Sequence, residues 1–173
     1  MRTHQCSKRF SRGTSLLEAI AYLGVASIIV AGAVALLSTA FSSSRSLRAQ
    51  QEITAIGTGV KRLFMSQAGA YGNGSLNVQL ARSKIFPATL AVAGDQITNA
   101  WDGAVQVTGH GATFDLSYGG VPQDACIELA AMPGQWLGVS VNGGEAAAAP
   151  VGVAQAAAMC DQMSSNAIVW TAR

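Results

Sequence analysis

Gly13-Thr14-Ser15-Leu16-Leu17-Glu18 opens an apolar run that meets no further charge until Arg45. Ala19 to Leu37 alone approaches the roughly 20 residues that a membrane-spanning helix needs. A bare charge deep in hydrocarbon costs at least about 2.5–3.5 kcal/mol, so a carboxylate at the threshold of such a run needs a partner. Glu18 therefore predicts a helix that ends up packed against other protein. Gly24, Gly32 and several alanines dilute the run, and small residues let helices approach closely.

The thirteen residues before Thr14 hold Arg2, Lys8, Arg9 and Arg12 and no acid. A basic flank ahead of an apolar helix is retained in the cytoplasm by the positive-inside rule. Two other readings compete on the residues alone. One is a secretory signal peptide, with small residues at Ala33-Val34-Ala35 or Ser38-Thr39-Ala40 for cleavage. The run is longer than the usual ~7–15-residue signal core, which disfavours it. The other is a single-span anchor, which leaves Glu18 unexplained.

Glycine followed by Thr-Ser-Leu-Leu-Glu, with the acid fifth after the glycine and a long apolar helix behind, resembles a type IV prepilin. The resemblance is to the type IVb branch, which includes bundle-forming pilins and the PilS-like thin-pilus pilins of conjugative plasmids. It implies cleavage between Gly13 and Thr14 by a prepilin peptidase, with Thr14 as the new N-terminus and a substrate for methylation. It further implies that Glu18 faces the N-terminal amine of a neighbouring subunit in a helical filament. Opposite charges attract strongly in a low-dielectric core, and breaking a buried pair typically costs about 3–5 kcal/mol. Such a pair sets the axial register of one subunit against the next. Thr14 and Glu18 are the candidate assembly residues.

Composition fits a secreted structural subunit. Only 12% of the 173 residues are charged, and the net charge is +2. Removing the four basic leader residues leaves seven basic against nine acidic, or −2. The mature chain thus has no net basic charge to argue for nucleic acid. Cys6 lies in the leader. Cys126 and Cys160 lie in the part sent across the membrane, where an oxidising compartment favours a disulfide over two buried thiols. No CxxC occurs and the only histidines are His4 and His110, so no metal or cofactor is expected.

Three segments are expected: the leader, 1–13; a long helix, 14–68; and a globular head, 69–173. The first part of the helix, about 16–40, is the membrane segment. Ala49, Ile53, Ile56, Val60, Leu63 and Phe64 recur at spacings of three and four, so the outer half carries one apolar stripe. Arg48, Glu52, Lys61 and Arg62 are assigned to its polar face. A helix from about Ser15 to Ser66 would reach roughly 75 Å. Ser42–Ser44 and the Gly57/Gly59 pair are weak helix formers, read either as points of bending or, equally for the serines, as ordinary exposed helix positions.

The fold class is α+β: a long N-terminal helix, a small antiparallel sheet and a disulfide-bounded C-terminal region, the type IV pilin fold. Gly69 to Gly74 is expected as a turn and Ser75 as the cap of a short helix running to Lys84. Ala104–Thr108 and Ala112–Tyr118 flank Gly109-His110-Gly111 as a hairpin. Ala125–Ala131 and Val153–Met163 are expected helices carrying Cys126 and Cys160. Leu137–Val141 and Ala167–Thr171 are expected strands, and Gly143–Pro150 is expected to be a surface loop. Asn99-Ala100-Trp101-Asp102-Gly103 resembles the family's Asn-Pro-aromatic-Gly-Gly turn, with Ala100 for proline and Asp102 for the first glycine.

Catalytic patterns are missing: there is no Walker loop and no HExxH. Ser117, His110 and Asp115 are triad residue types, but nothing in the sequence supports a triad geometry. Asp95 and Asp102 form no calcium loop. Trp101, Trp136 and Trp170 are assigned to packing. The reading is a non-enzymatic major pilin. It passes from the inner membrane to an extracellular fimbrium of a Gram-negative bacterium, serving adhesion, aggregation or conjugation. The implied partners are the prepilin peptidase, an assembly ATPase, an inner-membrane platform, a secretin and further copies of the chain. The alternatives are a minor pilin, a type II secretion pseudopilin or a Sec-secreted periplasmic binding module.

Overall fold

The computed structural model describes residues 15–67 and 69–173. The expected leader, with Cys6, Gly13 and the cleavage-site Thr14, lies outside the described residues. The chain divides into two compact units, one ending at Phe41 and the other spanning Ser42–Arg173.

A single helix, α1, runs Leu16–Phe64 and closes in a 3-10 turn at Met65–Gln67. Its helical assignment continues through Ser42–Ser44. Within the second unit α1 buries Ala49, Ile53, Ile56, Val60 and Phe64, one stripe at helical spacing. Two sequence expectations change here. Gly57 and Gly59 serve close packing: a β-carbon would lie 2.8 Å from the Trp136 ring at 57 and 2.6 Å from Ile85 at 59. Glu52 is not on the solvent face but only 3% exposed. Positions 49, 52 and 56 follow one another at spacings of three and four, so Glu52 shares the buried stripe.

The head is one eight-stranded antiparallel sheet. After α1 come β1 (Gly72–Ser75), α2 (Asn77–Arg82), β2 (Ala91–Ala93), β3 (Gln96–Thr98), β4 (Ala104–Gly111) and β5 (Thr113–Val121). Then follow α3 (Gln123–Ala130), β6 (Gly138–Val141), β7 (Ala147–Ala148), α4 (Val153–Met159) and β8 (Asn166–Ala172). The strand order is β2-β3-β4-β5-β8-β6-β7, with β1 also on β4. β8, last in sequence, lies between β5 and β6. Its inward residues Ile168, Trp170 and Ala172 are fully buried, whereas Val169 and Thr171 on the other face are half-buried.

The β4–β5 turn falls at Gly111-Ala112 rather than around His110. Gly109 pairs with Phe114 and His110 with Thr113. The buried face selects this register: Val105 and Val107 point inward with Phe114, Leu116 and Tyr118, and a one-residue slip would turn one strand's inward set out of the core. Of the glycine-rich stretch expected as a turn, Gly69 does turn, but Gly72–Gly74 join Ser75 in β1, because residues 108–111 of β4 offer them a free edge to pair. Ser75 is the last residue of that strand, and α2 starts at Asn77 without a side-chain cap. β7, inside the expected loop, pairs Ala147 with Val139 and Ala148 with Gly138. α4 stops at Met159, with Cys160 as the capping residue.

Cys126 on α3 and Cys160 after α4 are joined by a disulfide across a Cα–Cα distance of 6.0 Å. It closes a segment of sequence separation 34, a loop size that stabilises by roughly 4 kcal/mol on chain-entropy grounds. Asn166 holds the same region by hydrogen bonds. Its Nδ2 donates to the Val121 and Gln162 carbonyls, and its Oδ1 accepts from Gln162 N–H and Asn142 Nδ2.

Candidate assembly site

The start of α1 is built around Glu18. Ser15 Oγ accepts the Glu18 backbone N–H at 3.2 Å, one half of a Ser-x-x-Glu capping box. This leaves the Glu18 carboxylate turned to the helix surface, where it accepts from the Tyr22 hydroxyl at 3.4 Å. An acid in the first turn also suits the positive end of the helix dipole. Sequence reasoning started the helix at about Ser15 but did not assign the serine hydroxyl as its cap.

Beyond Glu18 the helix is apolar on all sides. Leu16, Ile20, Leu23, Ile28 and Leu36 are 62–82% exposed. The hydroxyls in this stretch are satisfied within the helix. Ser27 donates to the Gly24 carbonyl, and Ser38 and Thr39 donate to that of Ala35. Nothing lies within 4 Å of the β-positions of Gly24 and Gly32. A contiguous apolar surface of this size marks a membrane or protein interface. The helix is long and apolar enough to cross a bilayer.

A second carboxylate on the same helix behaves differently. Tyr118, from β5, donates its hydroxyl to Glu52 Oε2 in a short hydrogen bond. Burial, then this bond and the neighbouring negative charge, hold the Tyr118 hydroxyl far above its ordinary pKa of 10.0. Among the described residues, Glu52 Oε1 and Trp170 Nε1 are buried polar atoms without a partner. Asn77 is a further polar tie in the head. It donates to the Asp95 and Val105 carbonyls and accepts from Val107 N–H. Glu52 carried a signal, its helical spacing from Ala49 and Ile56, that its charged type masked, whereas Asn77 sits in a short helix with no apolar stripe to reveal it.

The Asn99 turn is intact despite its two substitutions. Asn99 Oδ1 accepts from Trp101 N–H at 2.9 Å and Gly103 N–H at 3.0 Å, and Nδ2 donates to the Gly119 carbonyl at 2.8 Å. Asp102 takes the left-handed conformation at φ 59°, a region that aspartate tolerates better than most residues.

The triad residue types do not form a triad. His110 Nε2 lies 3.2 Å from Asp115 Oδ2, and Thr171 Oγ1 donates to Asp115 Oδ1. Ser117 pairs with Gln106, while His110 pairs with Thr113, four residues away along β5. That separation is roughly 13 Å at strand rise. Among the described residues, no group of three His, Cys, Asp or Glu side chains is placed to hold a metal. Trp170 is fully buried, and Trp101 and Trp136 pack against the core.

A long helix with an apolar first half, an antiparallel sheet and a disulfide-closed C-terminal region together define the type IV pilin fold. TcpA, a type IV pilin from Vibrio cholerae El Tor biotype, has this fold in its crystal structure. The two superpose with a TM-score of 0.53 over 75% of this chain and 99% of TcpA, at 13% sequence identity. No curated protein matches the chain. Residues 43–173 match the PilS family, described as PilS N terminal. The chain belongs to that family: it is a type IV pilin of the PilS-like kind, a subunit of a pilus.

Proposed function

We propose that the protein is the major subunit of a type IVb pilus, cleaved before Thr14 and polymerised through α1. The observation that carries this reading is the exposed apolar half of α1 with one acid in its first turn. Lipid and neighbouring helices are similarly apolar, so the hydrophobic effect barely distinguishes bilayer from filament. Packing of the small-residue surface and neutralisation of Glu18 by the Thr14 amine of a neighbour then drive the transfer. The peptidase, ATPase, platform and secretin belong to this reading, as does passage from inner membrane to surface filament. Adhesion, aggregation or mating contact is the role of the finished fibre.

The test is N-terminal sequencing of the chain from sheared surface filaments. Thr14 as the first residue, in the most abundant protein of the fibres, supports the reading. A start at Leu36 or Phe41 would indicate signal-peptide cleavage and overturn it.

A further inference from the structure

Charge is segregated within the second unit. Residues 45–84 carry Arg45, Arg48, Lys61, Arg62, Arg82 and Lys84, and their one acid, Glu52, is buried. Residues 85–172 carry seven acids and no lysine or arginine. Surface charges of both signs are ordinarily interspersed. Here, among the described residues, no lysine or arginine pairs with a carboxylate, and the one ion pair is His110 with Asp115.

The basic segment borders a groove of about 700 Å³. One wall is α1, through Leu47, Thr54, Thr58 and Arg62, and the other holds Lys84 and Ile85. Arg62 and Lys84 are exposed, and no acid lines the groove. On α3, Asp124 and Glu128 stand four residues apart and are exposed. Like charges at that spacing on a helix repel one another. Asp124 has a hydroxyl donor in Ser42, at 3.2 Å, but no cation.

We propose that the groove between α1 and Ile85 receives the Asp124/Glu128 face of α3 from a second copy of this chain. Two cations meet two carboxylates, and each side relieves the other's repulsion. The two surfaces are different patches of one molecule, so the contact is heterologous. Such a contact leaves a free groove and a free α3 at its ends, and wherever its rotation does not close into a ring it propagates as an open helical polymer. This contact rests on the pilus reading and adds to it a head-to-head recognition that is independent of the Glu18 pair. It orients the incoming subunit, and it weakens with salt because its charges are exposed.

The test begins with wild-type sheared filaments treated with a zero-length carbodiimide. Mass spectrometry should find Lys84 joined to Asp124 or Glu128 of another subunit. Finding Lys84 unjoined to either, in filaments whose other contacts do cross-link, would overturn the contact. In the second arm, Arg62→Glu with Lys84→Glu, or Asp124→Lys with Glu128→Lys, should each lower filament yield by ~10-fold or more. The four changes together should restore yield to within about threefold of wild type. The membrane pool of disulfide-bonded subunit serves as the folding check. Unchanged yield in both double variants, or no recovery in the fourfold variant with its folded pool intact, would also overturn it. Failure of wild-type chains to form any filament would instead refute the pilus reading itself.

Discussion

The two halves of α1 share one helix, yet they use their apolar residues in opposite ways. Leu16 to Leu37 presents apolar side chains in every direction, all of the large ones exposed. From Ala49 to Phe64 the apolar residues keep to one stripe, which is buried in the head. The carboxylates follow the same division. Glu18 lies on the exposed half with a weak tyrosine contact, and Glu52 lies inside with a buried tyrosine donor. A helix that is apolar all round is unfinished in isolation, whereas an amphipathic one is completed by its own chain. The lesson is that one element carries two contracts, one intermolecular and one intramolecular.

The comparison breaks most sharply at Glu18. Glu18→Ala should cut filament yield by ~100-fold or more while the membrane-inserted pool and head stability stay unchanged. Immunoblots of sheared and membrane fractions decide it, and normal pilus yield would remove Glu18 from assembly. Next, Ile53→Ala should destabilise the head by about 2–5 kcal/mol, whereas Ile28→Ala should leave its unfolding midpoint in place. All three tryptophans lie in the second unit, so their fluorescence in detergent reports head unfolding for both variants.

Tyr118→Phe should cost about 1.5–3 kcal/mol, because it strands the Glu52 side chain in the core. Pairing it with Glu52→Leu should recover most of that loss, since both polar partners are then gone. Alkaline titration sharpens the point. Tyr118 has a raised pKa in the fold, so the unfolded chain loses its proton first. Stability is therefore full below about pH 10 and falls as pH rises beyond it. Tyr118→Phe should flatten that decline. The smallest effect belongs to Ser15→Ala, which removes a cap at an exposed helix start and should cost about 1 kcal/mol or less. Circular dichroism of the detergent-solubilised chain should show at most slight fraying, with head fluorescence unaltered.

Much of the architecture was legible because local patterns are strong where one face is buried. The apolar run, the three-and-four spacing from Ala49 to Phe64, the hairpin strands and the two head cysteines were read without coordinates. The misreadings share a cause. Glu52 looks like a solvent residue by type, Gly57 and Gly59 look like bend points, and Gly72–Gly74 look like part of a turn. Each is decided by what approaches from elsewhere in the chain: Tyr118, the Trp136 and Ile85 side chains, and the free edge of β4.

A membrane-length apolar helix, an acid at its threshold and a small α+β head all follow from the order of residues alone. Those features depend on composition and periodicity, which act over a few turns of chain. Three-dimensional packing sets the rest: β8 inserts between β5 and β6, Glu52 meets Tyr118 across the core, and, among the described residues, no lysine or arginine pairs with a carboxylate. Such pairings join residues far apart in the chain. Their free energy depends on three-dimensional neighbours that no local pattern encodes.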